Sequence, residues 1–268
     1  MSSFCVVSYN ILADSYIRPE WYPNTAAEFL KPTERVARII ERLLGLSPDI
    51  ACLQEVGRTV FDTVAARLNA HDYADSYLQK GRNRPDGCAT FYKSARFDEV
   101  QSIDLEYADS LPGQDATGHV AQLSVLKQGN RQLVVANTHL RWDPPDTPAF
   151  RSVGCAEASE LMAMCKQMLS VHDGLLVCGD FNASPKSDVV HVMMQAGLSF
   201  THCHESNQNT SNANGKAKTI DYMMHNRELI PTAMPLPVID DLMPLPGPTE
   251  PSDHLPVAAK FTWRVEEV

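Results

Sequence analysis

Positive charge is scarce in this chain: 23 Lys and Arg stand against 33 Asp and Glu, a formal net charge of −10 over 268 residues. Non-specific binding to duplex nucleic acid rests on phosphate neutralisation by Lys and Arg, so a broad duplex-binding surface is excluded and any nucleic-acid contact must be local. Paired cysteines are lacking too. The seven cysteines include no Cys-x-x-Cys, and several (Cys5, Cys52, Cys178) lie inside apolar runs, so they read as reduced, buried thiols suited to a reducing compartment. No run of about 18 apolar residues is present to span a membrane. The opening Met1-Ser-Ser-Phe-Cys-Val-Val-Ser-Tyr9 has neither the basic segment nor the long apolar core of a signal peptide. A cytoplasmic protein with no membrane partner is therefore expected, and nothing in the sequence implies a partner protein. What the chain does have is material for a core: 44% hydrophobic residues over this length suffice for one large domain.

The stretch Asp173-Gly-Leu-Leu-Val-Cys-Gly-Asp180-Phe-Asn182-Ala-Ser-Pro185 organises the rest. Leu175 to Cys178 have the length and character of a buried strand, and Gly179 permits close backbone approach where that strand stops. Asp180 and Asn182 then stand at the strand mouth. Two residues apart on extended backbone, their side chains leave one face and can converge on one phosphate or metal; alternatively they form an Asx turn that ends the strand. Ser184 and Pro185 read as N-cap and first position of a helix carrying Val189, Val190, Met193 and Ala196, stopped by Gly197.

Similar strand ends recur along the chain. Phe4 to Ser8 is a strand running into Asn10, and Asp49 to Val56 is a second one bearing Glu55 near its end. Between them Pro32 opens a helix with Val36, Ile39, Ile40, Leu43 and Leu44 on one face, broken at Ser47-Pro48, and a further helix turns Val60, Phe61, Val64 and Leu68 inward. Four strand-like runs follow without long helices (Asp86 to Tyr92, Val100 to Tyr107, Gly118 to Leu126, Leu133 to Leu140), which suggests antiparallel pairing, with Gly129-Asn130 as a hairpin turn. Lys80, Arg82 and Arg84 precede them, either as a solvated loop or as a grip on a substrate phosphate. The last run delivers Asn137-Thr-His139-Leu-Arg-Trp142-Asp-Pro144, and a helix with Leu161, Met164, Cys165 and Met168 leads to the organising stretch. Beyond it lie a polar loop (201–218), in which His202-Cys203-His204-Glu205 is weak evidence for a metal site, and a strand from Thr219 to Met224 bearing Asp221. Seven prolines between Pro231 and Pro251 then form a loop unsuited to helix or central strand, ending in Ser252-Asp253-His254-Leu-Pro and a closing strand, Val257 to Trp263.

Asn10, Glu55, His139, Asp180, Asn182, Asp221, Asp253 and His254 are thus polar residues at strand ends, and phosphoryl chemistry needs such a set. A hard cation such as Mg²⁺ takes carboxylate and amide oxygens, a water attacking phosphorus needs a base, and the transition state needs donors on its equatorial oxygens. The segments Ser8-Tyr-Asn10-Ile-Leu-Ala-Asp14, Pro48-Asp-Ile-Ala-Cys-Leu-Gln-Glu55-Val, Asn137-Thr-His139-Leu, Gly179-Asp180-Phe-Asn182, Ile220-Asp221-Tyr and Ser252-Asp253-His254-Leu-Pro resemble the signature of the endonuclease/exonuclease/phosphatase superfamily, the deoxyribonuclease I-like fold. Within it, Tyr9 to Asp14, Asp86 to Tyr92 and Asn137 to Pro144 look like the branch of carbon-catabolite-repressor-type deadenylases, nocturnin, angel and the 2′-phosphodiesterase.

The resemblance implies an α+β fold, a four-layer αββα sandwich of two mixed β-sheets, with residues 1–268 as a single catalytic domain. It implies Mg²⁺, with Mn²⁺ able to substitute, held by Glu55 with Asn10 beside it and Asp253 nearby. Asp180 would orient or deprotonate the attacking water, Asn182 would bond a phosphate oxygen, His139 and His254 would stabilise developing negative charge, and Asp221 would hold His254 and favour its charged form. A proline at the place of Pro144 helps sandwich the terminal adenine in the deadenylases. In those deadenylases an aromatic residue five positions before the Ile-Asp-Tyr aspartate stacks on the other face, and its place here is taken by Lys216. Lys216 and Lys218, with Arg82 and Arg84, would suit a substrate with an additional phosphate or a short oligonucleotide end. The implied activity is a Mg²⁺-dependent phosphodiesterase, a 3′-end exoribonuclease on single-stranded RNA or short oligonucleotides. Alternatives are a phosphomonoesterase on a small phosphorylated metabolite or nucleotide, and a DNA endonuclease or exonuclease of the same superfamily.

Overall fold

The computed structural model describes residues 3–108, 116–201 and 208–265. In chain order it forms β1 (Ser3–Asn10), α1 (Pro32–Leu46), β2 (Ile50–Gly57), α2 (Arg58–Asn69), β3 (Tyr73–Gln79), β4 (Asp86–Lys93), β5 (Asp98–Glu106), β6 (Val120–Gln128) and β7 (Arg131–His139). There follow α3 (Val153–Met168), β8 (Gly174–Asp180), α4 (Asp188–Gln195), β9 (Ser199–Phe200), β10 (Ser211–Ala213), β11 (Lys216–Lys218), β12 (Asp221–His225), β13 (Leu229–Ala233) and β14 (Val257–Trp263).

Two six-stranded sheets, ordered β13-β14-β1-β2-β4-β3 and β5-β6-β7-β8-β12-β9, carry the fold, with β10-β11 as a separate hairpin. Both sheets are mixed, because β1 pairs parallel with β2, and β7 with β8, while their other neighbours are antiparallel. Strand alternation gives each sheet two apolar faces. Phe4, Val6 and Cys52 of the first sheet meet Val135, Leu176, Cys178 and Met223 of the second, forming the middle of the sandwich. On the outer faces α1 and α2 bury Ile39, Leu43, Phe61 and Val64 against the first sheet, and α3 and α4 bury Ala158, Leu161, Val190 and Met193 against the second. Each such Leu, Ile or Phe taken out of water contributes about 1.5–3 kcal/mol. The architecture is the expected αββα sandwich. The described cysteines are free thiols, all buried except the half-buried Cys5, and no described helix is long and apolar enough to cross a membrane.

Several boundaries differ from expectation for identifiable reasons. The helix after Asn182 starts at Asp188, not Pro185: Ser187 donates its backbone N–H to Ser184 O at 3.0 Å in a preceding turn, and Ser187 Oγ, not Ser184, accepts from Val190 N. Ala196 caps that helix instead of extending it. Asp180 and Asn182 do not share an extended strand, since Asn182 lies in the left-handed region at φ 51°, its backbone N–H donating to Asp180 Oδ1 at 2.8 Å in an Asx turn. The polar 201–218 segment is not all loop, because it contains β10 and β11. His202 to Glu205 lie outside the described residues. Pro231 falls within β13, an edge strand, where a missing N–H is tolerated.

Candidate functional site

Three neighbouring strands of the second sheet deliver the acid–base groups. In their register His139 pairs with Asp180, and Asp180 with Asp221, so β7, β8 and β12 end side by side in imidazole, carboxylate and carboxylate. Gly179 makes this possible, because a Cβ there would stand 2.0 Å from Thr138 O on the adjoining strand. The first sheet supplies Asn10 at the end of β1 and Glu55 on β2. Glu55 is not the strand's last residue: it sits at φ 56° in a register shift between Leu53 and Val56, and this bulge turns its side chain toward the rim. Glu55 and Asn182 thus both occupy strained left-handed backbone at the site.

The sheets are pinned in register by two motif residues that touch no candidate site atom. Asn137 Oδ1 accepts from Gln54 Nε2 at 2.8 Å, and its Nδ2 donates to Leu53 O, Ala89 O and Thr90 Oγ1 across the sandwich. A buried amide with this many partners fixes one geometry. From the side, Arg35 of α1 reaches Ile11 O, Leu12 O and Pro251 O, tying the chain beyond Asn10 to the chain before Asp253. Arg38 and Arg42 on the same helix face bind Gly247 O, Pro248 O and the Glu250 carboxylate, which anchors the proline-rich segment. Arg35 looks like a solvated cation in sequence; only its burial shows its part in the site's support.

At the rim Asn10 Nδ2 donates to Glu55 Oε1 and to Asp180 Oδ2, both at 3.0 Å, while its oxygen accepts from Leu12 N. Asn10 thus ties the two carboxylates together through its amide nitrogen. Asp180 Oδ2 lies 3.6 Å from His139 Nε2 and 3.8 Å from His254 Nε2. His254 Nδ1 stands 2.9 Å from both Asp221 oxygens, and Asp221 Oδ2 also accepts from Thr210 Oγ1 at 2.6 Å. Asp253 lies beside this pair, its Oδ1 3.9 Å from His254 Nε2 and its Oδ2 accepting from Tyr22 OH at 3.1 Å. Asn182 Nδ2 is 2.8 Å from His139 Nε2 and donates to Leu140 O.

Burial sets the charges here, and the neighbours then separate them. Desolvation and the Asp221 charge push the Asp180 carboxyl up to about 7. Desolvation and Asp253 also raise Glu55. Burial alone would lower His254, but Asp221 and Asp253 raise it well above the usual imidazole range. His139 is held well below that range by burial and by Lys80. Lys80 is the residue that sequence reasoning placed wrongly in kind: it is no surface cation beside Arg82 and Arg84 but is buried, with its ammonium 2.7 Å from Asp86 Oδ2 and 3.1 Å from His139 Nδ1.

Among the described residues, Glu55, His139 and Asp180 form one group with potential metal-ligand atoms within 4.8 Å of one another, and Asp180, Asp221 and His254 form another. A divalent cation fits: the half-buried Glu55 and the buried Asp180, both with raised proton affinity, converge in groups that among the described residues include no thiol, and a hard ion would neutralise them. Asp253 belongs to neither group. A cavity of about 590 Å³ opens from Asn182, lined by Arg141, Trp142, Pro144, Lys186, Lys218 and Ile220 among others. Pro144 thus lines the same cavity as Asn182. Lys216 does not line the cavity, whereas Lys218, two residues on along β11, does. Arg82 and Arg84 also lie outside its lining; Arg84 Nε is spent on Thr117 O at 2.6 Å.

The profile of the Endonuclease/Exonuclease/phosphatase family matches residues 7–254. Carbon catabolite repressor protein 4 homolog 3 of Arabidopsis thaliana is 32% identical over 210 residues, covering 74% of this chain and 44% of that protein. The human nocturnin catalytic domain with bound sulfate superposes with a TM-score of 0.78 at 27% identity, over 98% of this chain and 94% of that one. The crystal structure of ANGEL2, a 2′,3′-cyclic phosphatase, shares the fold with a TM-score of 0.86 at 21% identity, over 97% and 95%. The chain spans about half the length of the curated relatives heading the comparison. With the profile covering nearly all of the sandwich, the chain belongs to the endonuclease/exonuclease/phosphatase family.

Proposed function

We propose that residues 1–268 form one catalytic domain, a Mg²⁺-dependent phosphodiesterase that cleaves single-stranded RNA or short oligonucleotides from the 3′ end. The observation that carries this reading is Asp180, a carboxylate titrating near neutrality, set between two histidines of opposite charge state and bonded through Asn10 to Glu55. Glu55 and Asp180 are the groups that would hold the cation, which supplies charge stabilisation to the phosphoryl oxygens. Mn²⁺ would serve as well, since both ions take oxygen ligands.

The chain's own residues do the rest. Asp180 takes a proton from the water that attacks phosphorus, for which it must be ionised, the state a bound cation favours. His254, held by Asp221 through Nδ1, presents a protonated Nε2 to a phosphoryl oxygen. Asn182 offers its amide to the same group. The water oxygen bonds to phosphorus as the bond to the preceding nucleotide's O3′ breaks; O3′ takes up a proton from solvent, and a nucleoside 5′-monophosphate and a shortened strand with a 3′-hydroxyl are released. Pro144 and Trp142 would form the wall against which the terminal base lies.

A second reading, a phosphomonoesterase on a small nucleotide, is favoured by the cations Arg141, Lys186 and Lys218 around the cavity. Incubating labelled oligo(A), mixed-sequence RNA, single-stranded DNA and NADP-like phosphates with Mg²⁺ or with chelator, and identifying the products, separates the two. Nucleoside 5′-monophosphates from RNA support the first; inorganic phosphate from the small substrates alone overturns it in favour of the second.

A further inference from the structure

His139 is enclosed by donors. Its Nδ1 faces the Lys80 ammonium at 3.1 Å, its Nε2 faces the Asn182 NH₂ at 2.8 Å, and its ring lies against His119 with centroids 6.0 Å apart. An ammonium has three donors and no acceptor. Asp86 Oδ2 pairs with the Lys80 ammonium at 2.7 Å, and the other Asp86 oxygen accepts from Tyr16 OH at 2.6 Å, so the carboxylate has both oxygens engaged. The Lys80 side chain is 2% exposed and Asp86 is not exposed at all, so neither is placed to meet a substrate directly.

We propose that Lys80 is a positioning residue: its ammonium donates to Nδ1 of His139 and thereby keeps the ring's single proton on Nε2, aimed into the rim. In that tautomer Nε2–H and the Asn182 N–H not given to Leu140 O are two donors placed side by side, with Asp180 Oδ2 at 3.6 Å from Nε2 beyond hydrogen-bond distance. A phosphoryl oxygen entering the rim supplies an acceptor, so the pair forms a neutral cradle for it, opposite the cationic His254. The two histidines are then not equivalent. His254, with an acid behind it, brings charge; His139, with a lysine behind it, brings a directed neutral donor. This assignment rests on the phosphodiesterase reading for its consequence in catalysis, but not for the tautomer itself.

The test is long-range ¹H–¹⁵N correlation of the histidine rings in metal-free protein, alongside kinetics on an RNA substrate with Mg²⁺. Wild-type His139 is expected as a single tautomer, protonated at Nε2 and bare at Nδ1. Lys80→Met should give mixed tautomers, and kcat should fall about 10–100-fold with KM changed less than about threefold, as for loss of a donor used mainly in the transition state. Lys80→Arg, which keeps a donor, should restore the tautomer in part. If Lys80→Met leaves Asp86 unpaired and does not fold, Lys80→Met/Asp86→Asn removes both charges together. A wild-type ring protonated at Nδ1, or variants that fold with the wild-type ring signature and kcat, would overturn the proposal. A tautomer shift in a protein that cleaves none of the RNA substrates would leave the Lys80 assignment standing and sink the phosphodiesterase reading.

Discussion

His254 and His139 flank the same oxygen, Asp180 Oδ2, at 3.8 and 3.6 Å, yet the regions behind them differ in sign. Behind His254 stands Asp221, bonded to the Thr210 hydroxyl, with Asp253 beside its Nε2; behind His139 stands Lys80, with His119 against its ring and Arg84 adding positive charge. Both rings are buried. Burial alone would neutralise both, so the charge of one and the neutrality of the other come from what each strand neighbour supplies. Two residues of one type, placed symmetrically about a carboxylate, thereby divide into an ionic and a neutral hydrogen-bonding partner.

The largest effect should come from removing the group they share. Asp180→Asn keeps the shape but not the base, and kcat should drop on the order of 10³-fold or more, measured by single-turnover cleavage with folding checked by circular dichroism. On the ionic side, Asp221→Asn and His254→Ala should each cost on the order of 10²–10³-fold, and the double variant little more than either, because the two act as one unit. Additive losses in that cycle would show that Asp221 does not work through His254.

Stability against pH in chelator gives a separate view of the same contrast. His254 binds its proton more tightly folded than unfolded, so its contribution is complete below its ordinary value of 6.5 and is lost as pH rises through its raised folded value. His139 binds it less tightly folded, so the unfolded chain gains protons below 6.5 and stability falls on the acid side. Asp180, raised from 3.8 to about 7, contributes stability that is complete below 3.8 and lost as pH rises through about 7. Urea midpoints from pH 5 to 9 should therefore lose their acid-side decline in His139→Gln and flatten on the alkaline side in His254→Gln. A divalent cation should shift the Asp180 titration downward, since it favours the ionised carboxylate.

The smallest effects should lie at the cavity edge, away from both histidines. Lys218→Ala should raise KM about two- to fivefold on phosphorylated nucleotides, an exposed charge interaction that added salt weakens. Lys216→Phe should change the preference between oligo(A) and oligo(U) by less than about twofold, because Lys216 does not line the cavity. A strong gain for oligo(A) in that variant would put the 216 side chain at the base after all.

Much of the site could be read from the chain because its residues end apolar strands, where a carboxylate or amide has no packing reason to be. Strand β14 was legible to its boundaries, and α1 from Pro32 onward. What stayed hidden depends on contacts far apart in sequence. Strand β3 alternates half-buried polar residues and carries no strong apolar pattern. Ser187 and Ser184 are equal as caps until the turn between them is known. Lys80 stands in a run of cations, and nothing local distinguishes it from Arg82 and Arg84; its role follows from Asp86 at the start of β4 and His139 at the end of β7 meeting it from two different sheets. Arg35, likewise, is one arginine on a helix until Ile11, Leu12 and Pro251 close around it.

The central claim is that this rim hydrolyses phosphodiesters with the help of a divalent cation held at Glu55 and Asp180. The most direct measurement is cleavage of a 5′-labelled single-stranded RNA by wild-type protein and by Glu55→Ala, each across a Mg²⁺ titration. The account predicts a ladder shortening from the 3′ end in wild type, abolished by chelator, and in Glu55→Ala a loss of activity that added Mg²⁺ recovers little, with the thermal midpoint nearly unchanged. Full activity of Glu55→Ala at low Mg²⁺, or undiminished cleavage by wild type in chelator, would contradict it.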